Sequence, residues 1–244
     1  MNAYEKYYAV IQEQLGKVYA TQRGAIDQSA VWLGEALAND HWLYAFGTGH
    51  SHMLAEEIFY RAGGLARAAP ILDDRLMLHQ EAIDATLLER QEGYAADLLK
   101  PYAVERGDLL IVASNSGRNA VPIELAVAGR ERGLKVIVIT NLAHTRAWPS
   151  RHSSGKKLAD VGDVVIDNCG VQGDACLEMI GMPGAIGPTS SITGMFIVNA
   201  IIVQGIENAL GRGLAPEIYI SSNCDGDDHN DKLLQKYKNR IRHL

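Results

Sequence analysis

Apolar residues recur along this chain with two different periods, and the change from one to the other outlines the fold. From Tyr4 to Leu37 they follow helical spacing, turn residues are sparse, and Gly16 and Gly24 mark breaks, which predicts two helices. Short, continuously apolar runs then alternate with amphipathic stretches. This pattern predicts strands at 42–46, 68–72, 109–113, 135–140 and 163–167, and helices at 51–62, 84–102 and 120–132. An almost uncharged helix from Ile192 to Leu210 and a last helix from Lys232 to His243 follow. Strands that are apolar throughout are covered on both faces, so the alternation predicts an α/β fold with a doubly wound parallel sheet. No internal repeat is present, and the simplest division is a helical extension (1–38), one central domain (39–212) and a C-terminal loop and helix (213–244).

Two strand ends carry the polar residues of interest. The run Leu109–Ala113 empties into Ser114-Asn115-Ser116-Gly117-Arg118-Asn119, immediately before a helix start. The Ser114 and Ser116 hydroxyls, a glycine that lets backbone approach closely and the free amides of a helix N-terminus together suit an anion, and phosphate is the expected guest. Taken alone, the same segment reads equally well as a turn that caps its helix. A second loop of like design, Gly47-Thr48-Gly49-His50-Ser51 after the strand 42–46, shifts the balance toward binding. Position 52 is histidine, so the third glycine of a dinucleotide fingerprint is missing, and no phosphate loop ending in GK[ST] occurs. A small phosphorylated ligand is therefore expected in place of a nucleotide. In parallel sheets ligands sit beyond the carboxyl ends of the strands, near a switch in strand order, and both loops lie at such ends, as does Thr140-Asn141. A third polar turn, Gly187 to Ser191, precedes the uncharged helix; Thr189 and Ser190 there are helix caps first and phosphate ligands second.

With GTGHS at 47–51, SNSGRN at 114–119 and ITN at 139–141, the chain resembles the SIS (sugar isomerase) domain family over roughly Trp32 to Leu210, and within it bacterial phosphosugar and phosphoheptose isomerase-like proteins. The resemblance implies a flavodoxin-like five-stranded sheet and a phosphosugar held by Ser51, Ser114 and Ser116, with Thr48 and Gly49 near the sugar. Gly47, Asn115 and Gly117 complete the two loops. It also implies a homodimer that builds each sugar site from two subunits. Asn119 stands where the family usually has threonine, which replaces a hydroxyl contact with an amide.

The activity so implied is aldose-ketose isomerisation of a sugar phosphate, including amino sugar phosphates, through an enediol. Such a reaction needs a base and donors that stabilise the enediolate. Glu56 and Glu57 point about 100° apart on a helix and cannot share one task. Glu57, four residues before Arg61, suits an ion pair; Glu56 lies in line with His52 and faces a pocket, a partner subunit or solvent. In the heptose isomerase and etherase branches a catalytic glutamate falls ten residues after the first-loop serine, and here that position is Arg61, as in the hexulose phosphate isomerase branch. Histidine then becomes the stronger base, with His79 and His50 as candidates beside Glu56. The alternatives are a phosphosugar sensor without catalysis, or an etherase-like lyase on N-acetylmuramic acid 6-phosphate.

Composition narrows the partners. A chain of 244 residues with 47% hydrophobic and 21% charged residues buries a sizeable core. A net charge of −6 argues against a nucleic-acid surface. Apolar runs fall short of a membrane span and the N-terminus lacks a signal pattern, so no membrane association and a cytoplasmic location are expected. Cys169, Cys176 and Cys224 match neither a disulfide framework nor a zinc site, and Asp225, Asp227 and Asp228 are read as a turn capping the last helix; no metal or cofactor is expected.

Overall fold

A computed structural model describes residues 1–224 and 226–244, and five parallel strands form its centre. These are β1 (Leu43–Gly47), β2 (Ala68–Ile71), β3 (Leu109–Ala113), β4 (Lys135–Thr140) and β5 (Val164–Asp167), in the order β2-β1-β3-β4-β5. That is the flavodoxin-like order, in which the chain reverses its direction of winding between β1 and β3. Alternation of side chains divides the sheet into two apolar layers. Tyr44, Phe46, Leu110, Val112, Val136 and Val138 pack on one face; Leu43, Ala45, Leu109, Ile111, Ile137 and Ile139 pack on the other.

The N-terminal segment departs from the expectation of two helices: α1 (Ala3–Ala38) is continuous through Gly16 and Gly24. Each interior glycine costs a helix about 1 kcal/mol. Burial decides against the breaks, because Val18, Ile26, Leu33 and Leu37 line up on one side against the sheet and α6 (Ser190–Gly211), and each buried aliphatic side chain contributes roughly 1.5–3 kcal/mol. The helix α6 is 22 residues long, apolar enough to match a bilayer span, yet Gly194, Ile197, Val198, Ile201, Ile202 and Gly205 are buried within the protein. Gly205 lets α1 approach; a Cβ there would sit 2.6 Å from Leu33 Cδ2.

Other boundaries moved. The predicted helix 51–62 is a 3-10 turn, Gly49–His52, followed by the short α2 (Met53–Glu57). It ends there because Tyr60 takes φ +42° and Gly63 φ +78°. The predicted helix 84–102 is replaced by α3 (Leu78–Leu88), which starts earlier and ends sooner, and by a separate 3-10 turn at Tyr94–Asp97 after Gly93 at φ +82°. The α4 helix (Ala120–Glu131) agrees with its prediction. A short α5 (Leu142–Ala147) and an antiparallel hairpin, β6 (Ala175–Leu177) with β7 (Ile186–Pro188), were not foreseen. The last helix, α7 (Asp227–Tyr237), begins five residues before the predicted start, with Asp227 and Asp228 in the first turn, where acidic side chains suit the helix dipole. Asp225 lies outside the described residues. Trp42 meets Tyr237 edge to face at 5.1 Å, which ties α7 to the first strand.

Candidate functional site

The loops that follow β1 and β3 face each other at the point where winding reverses, and the N-terminus of α6 closes the space between them. Ser51, Ser114, Asn115, Asn168, Ser190 and Ser191 line one small cavity there, with Leu54, Ala113, Ile139 and Gly194 as its apolar wall. Hydroxyls and amides from four separated segments thus converge, although they are up to 140 residues apart in sequence.

Each loop owes its shape to a different use of glycine. Gly47 is needed for close approach: a Cβ there would fall on the Ser51 carbonyl and lie 2.8 Å from His52 N. Gly49 is needed for its backbone, with φ +53° and nothing within 4 Å. The turn is closed by Ser51 N–H donating to Thr48 O at 3.0 Å and by His52 Nδ1 against Gly49 O. In the second loop Gly117 needs both, with φ +60° and Thr140 Oγ1 2.7 Å from a would-be Cβ. Gly117 N–H donates to Ser114 Oγ at 3.2 Å, which leaves the Ser114 hydroxyl hydrogen for the cavity. Asn168 Nδ2 donates to Asn115 Oδ1 at 2.9 Å and fixes that side chain.

Several expected ligands are placed elsewhere. Ser116 is outside the cavity lining, and its carbonyl accepts from Thr145 Oγ1 at 2.9 Å. Thr48 Oγ1 donates to Glu89 Oε2 at 2.5 Å, and the Asn119 amide donates to Glu89 Oε1. Arg151 Nη1 donates to Asn119 Oδ1 at 2.9 Å, so Asn119 serves a cross-brace between the loops. Thr189 is fully buried and makes no cap with its own side chain. The cap is Asp174 instead: its carboxylate accepts from Thr189 N at 3.0 Å, Ser190 N at 2.8 Å and Ser190 Oγ at 2.7 Å. Asp174 reaches that position at φ +73°, a left-handed conformation. An anion therefore already sits at the N-terminus of α6, as the dipole favours.

The candidate bases form a second group beside the first loop. His79 is exposed near the start of α3, and its ring centroid is 6.3 Å from that of His52. His52 Nε2 is 3.6 Å from Glu56 Oε2, while His50 is exposed on the 3-10 turn. Glu57 pairs with Arg61, as the spacing predicts, and also accepts from Asn199 Nδ2 at 2.7 Å.

Sequence reasoning missed Glu89, the half-buried carboxyl at the C-terminal end of α3 that bridges Thr48 and Asn119. Burial pushes its carboxyl above the usual range, against the opposing pull of the Thr48 hydroxyl and of Arg90 and Arg151. Arg151 is itself held below its ordinary value by burial and by Arg90 and Arg118. Nothing local marks Glu89 in the sequence, because its neighbours come from other elements. Asn168 was legible by a rule already in use, since it directly follows β5 at the carboxyl edge of the sheet.

Comparison with known proteins agrees with this architecture. The SIS domain model matches residues 6–141. UPF0309 proteins of Listeria innocua and of a Geobacillus species are 42% and 41% identical to the chain over 236 and 238 residues, with 96% of each relative covered. Among solved structures, the phosphoheptose isomerase GmhA of Neisseria gonorrhoeae superposes with a TM-score of 0.54 at 18% identity, covering 82% of this chain and 95% of that one. The Vibrio vulnificus NanR protein, solved with ManNAc-6P, gives 0.51 at 15% identity over 95% and 68%. At those identities the likeness speaks for the fold. A five-stranded sheet in flavodoxin order, with polar loops after β1 and β3, and a family model spanning more than half the sequence lead to one conclusion: the chain belongs to the SIS domain family.

Proposed function

We propose that this chain binds a phosphorylated sugar in the crevice between the β1 and β3 loops and interconverts its aldose and ketose forms. The observation that carries the reading is the convergence of Ser51, Ser114, Asn115 and Ser190 on one cavity at the reversal of winding. The phosphate would sit on Ser51, Ser114, Asn115 and the first-loop amides, with Ser190, held by Asp174, as a wall of the cavity and Thr48, Ser116 and Asn119 shaping the approach. Moving a proton between two neighbouring carbons is redox neutral, so the step needs an acid-base group and enediolate donors. Glu89 is our assignment for that group, because it is a half-buried carboxyl that hydrogen-bonds Thr48 and Asn119 of the two loops and whose pKa burial raises. His79, His50 and Glu56 are the exposed alternatives on the same rim.

The proposal includes a homodimer and a cytoplasmic setting. On α6, Ile192, Phe196, Val203 and Leu210 are exposed at steps of four and seven residues, a stripe suited to a second copy. The three cysteines are free thiols, as a reducing compartment favours.

The test is incubation with hexose, heptose and amino sugar phosphates in deuterated water. Deuterium is expected at the carbon next to the carbonyl of one of them, and its incorporation should fall about 100-fold or more in Glu89→Gln while binding persists. Tight binding without exchange would replace the isomerase with a sensor, and release of lactate from N-acetylmuramic acid 6-phosphate would replace it with a lyase. Loss of exchange in His79→Ala but not in Glu89→Gln would move the base to the histidine.

A further inference from the structure

Beyond the crevice wall, three side chains with metal-ligating atoms meet from three separate segments. Glu92 lies between α3 and the turn Tyr94–Asp97, Glu124 is on α4, and His152 follows α5. His152 Nε2 is 3.4 Å from Glu124 Oε1 and 3.9 Å from Glu92 Oε2, and one donor atom from each of the three lies within 4.8 Å of the others. Two donors about 2.1 Å from one zinc ion at tetrahedral angles are about 3.4 Å apart, so one pair already has the required spacing and the third donor needs a shift of about 1 Å.

The surroundings orient these donors. Ser154 N–H donates to His152 Nδ1 at 3.1 Å, so the ring hydrogen lies on Nε2 between the carboxylates; a metal ion there would move it to Nδ1, where Ser154 Oγ at 2.7 Å accepts it. Ser153 donates to Glu92 from both its amide and its hydroxyl at 2.6 Å, and the Gly93 amide donates to Glu124 at 2.8 Å. Two carboxylates and a neutral imidazole sum to a charge of −2, which balances a divalent ion. One nitrogen and two oxygen donors suit zinc or a neighbouring transition metal better than calcium or magnesium, which prefer all-oxygen sites.

We infer that Glu92, Glu124 and His152 form a binding site for a divalent transition-metal ion, with a coordination position left for water. The ion would pin the segment around His152 to α4. Arg151, next in sequence, hydrogen-bonds Asn119 and so braces the Glu89 bridge, which connects the ion to the geometry of the sugar crevice. The inference stands apart from the isomerase reading, since it rests on other residues and its test uses no sugar.

The test is calorimetric titration of chelator-treated full-length protein with zinc chloride, and with cobalt chloride followed by its visible absorption. One ion per chain with micromolar or tighter affinity is expected, together with the cobalt bands of a four- or five-coordinate site. His152→Ala and Glu124→Gln should each weaken binding at least 100-fold and remove the zinc-induced rise in melting temperature. Far-ultraviolet circular dichroism of the metal-free variants, unchanged from the parent, separates loss of ligand from loss of fold; a variant that fails this control is replaced by Glu92→Gln, which is exposed. Millimolar affinity, or tight binding indifferent to all three substitutions, would overturn the site and leave His152 as a polar partner of the two glutamates.

Discussion

Replacing Gly47 with alanine tests whether the β1 loop owes its shape to close backbone approach. An added Cβ would lie 2.8 Å from His52 N and closer still to the Ser51 carbonyl, where ordinary contact begins near 3.4 Å. The Ser51–His52 backbone must therefore retreat by at least about 0.6 Å at His52 and further at Ser51. Neither neighbour is a flexible side-chain end, and β1 is fixed on both sides by β2 and β3, so the loop has to move. Overpacking of this kind costs about 1–3 kcal/mol, which for a domain of this size lowers the melting temperature by roughly 2–12 °C. The ligand pays separately: displacing the Ser51 hydroxyl from a phosphate removes a charge-assisted hydrogen bond of about 1.5–3 kcal/mol, or about 10- to 150-fold in affinity. Thermal melts and calorimetric titration with the tightest sugar phosphate of the panel measure the two effects. An alanine variant with parental melting temperature and parental affinity would refute the reasoning, because the loop would then tolerate what its geometry forbids.

Four further outcomes follow from the same coordinates. Gly16→Ala and Gly24→Ala, both exposed on α1 with nothing within 4 Å, should each raise stability by up to about 1 kcal/mol in denaturant titration; a loss would mean that α1 is interrupted in solution. Glu89→Gln should gain stability relative to the parent as pH rises. A carboxyl whose folded pKa lies above the ordinary 4.5 favours the fold fully below its unfolded value and loses that contribution as pH climbs through the raised one. Parallel melting curves for the two proteins between pH 4 and 8 would contradict the burial of that charge. Asp174→Ala should cost about 2–3 kcal/mol in chemical denaturation, from the lost α6 cap and from alanine at φ +73°, and Asp174→Gly should recover about 1 kcal/mol of it; equal losses would assign the whole effect to the cap. Val203→Glu should convert the proposed homodimer to monomers in sedimentation, and a dimer mass unchanged by the substitution would place the subunit contact elsewhere.

Much of the candidate site could be read before any coordinates because its ligands are local. Ser114 and Asn115 follow β3 directly, and Thr48 to Ser51 follow β1, so strand, turn and helix signals located them together. The strands were read well for the same reason: β3 and β4 are continuous apolar runs buried on both faces, and no alternative element suits them. Where a choice depended on distant partners, local signals failed. Gly16 and Gly24 are weak breaks by propensity, and only packing of α1 on α6 shows that burial outweighs them. Thr189 has the side chain of a helix cap, yet Asp174 occupies that place because the β6–β7 hairpin carries it there.

Sequence alone was enough to determine that this is an α/β protein with a parallel sheet and two polar loops suited to an anion, because hydrophobic period, glycine and hydroxyl placement are properties of neighbouring residues. Tertiary structure alone decided which polar groups meet. Glu89 bridges Thr48 and Asn119, and Glu92, Glu124 and His152 draw together, across separations of 28 to 60 residues that no local pattern records. Winding reversal between β1 and β3 sets those encounters, since a crevice opens only where successive helices leave the sheet on opposite faces.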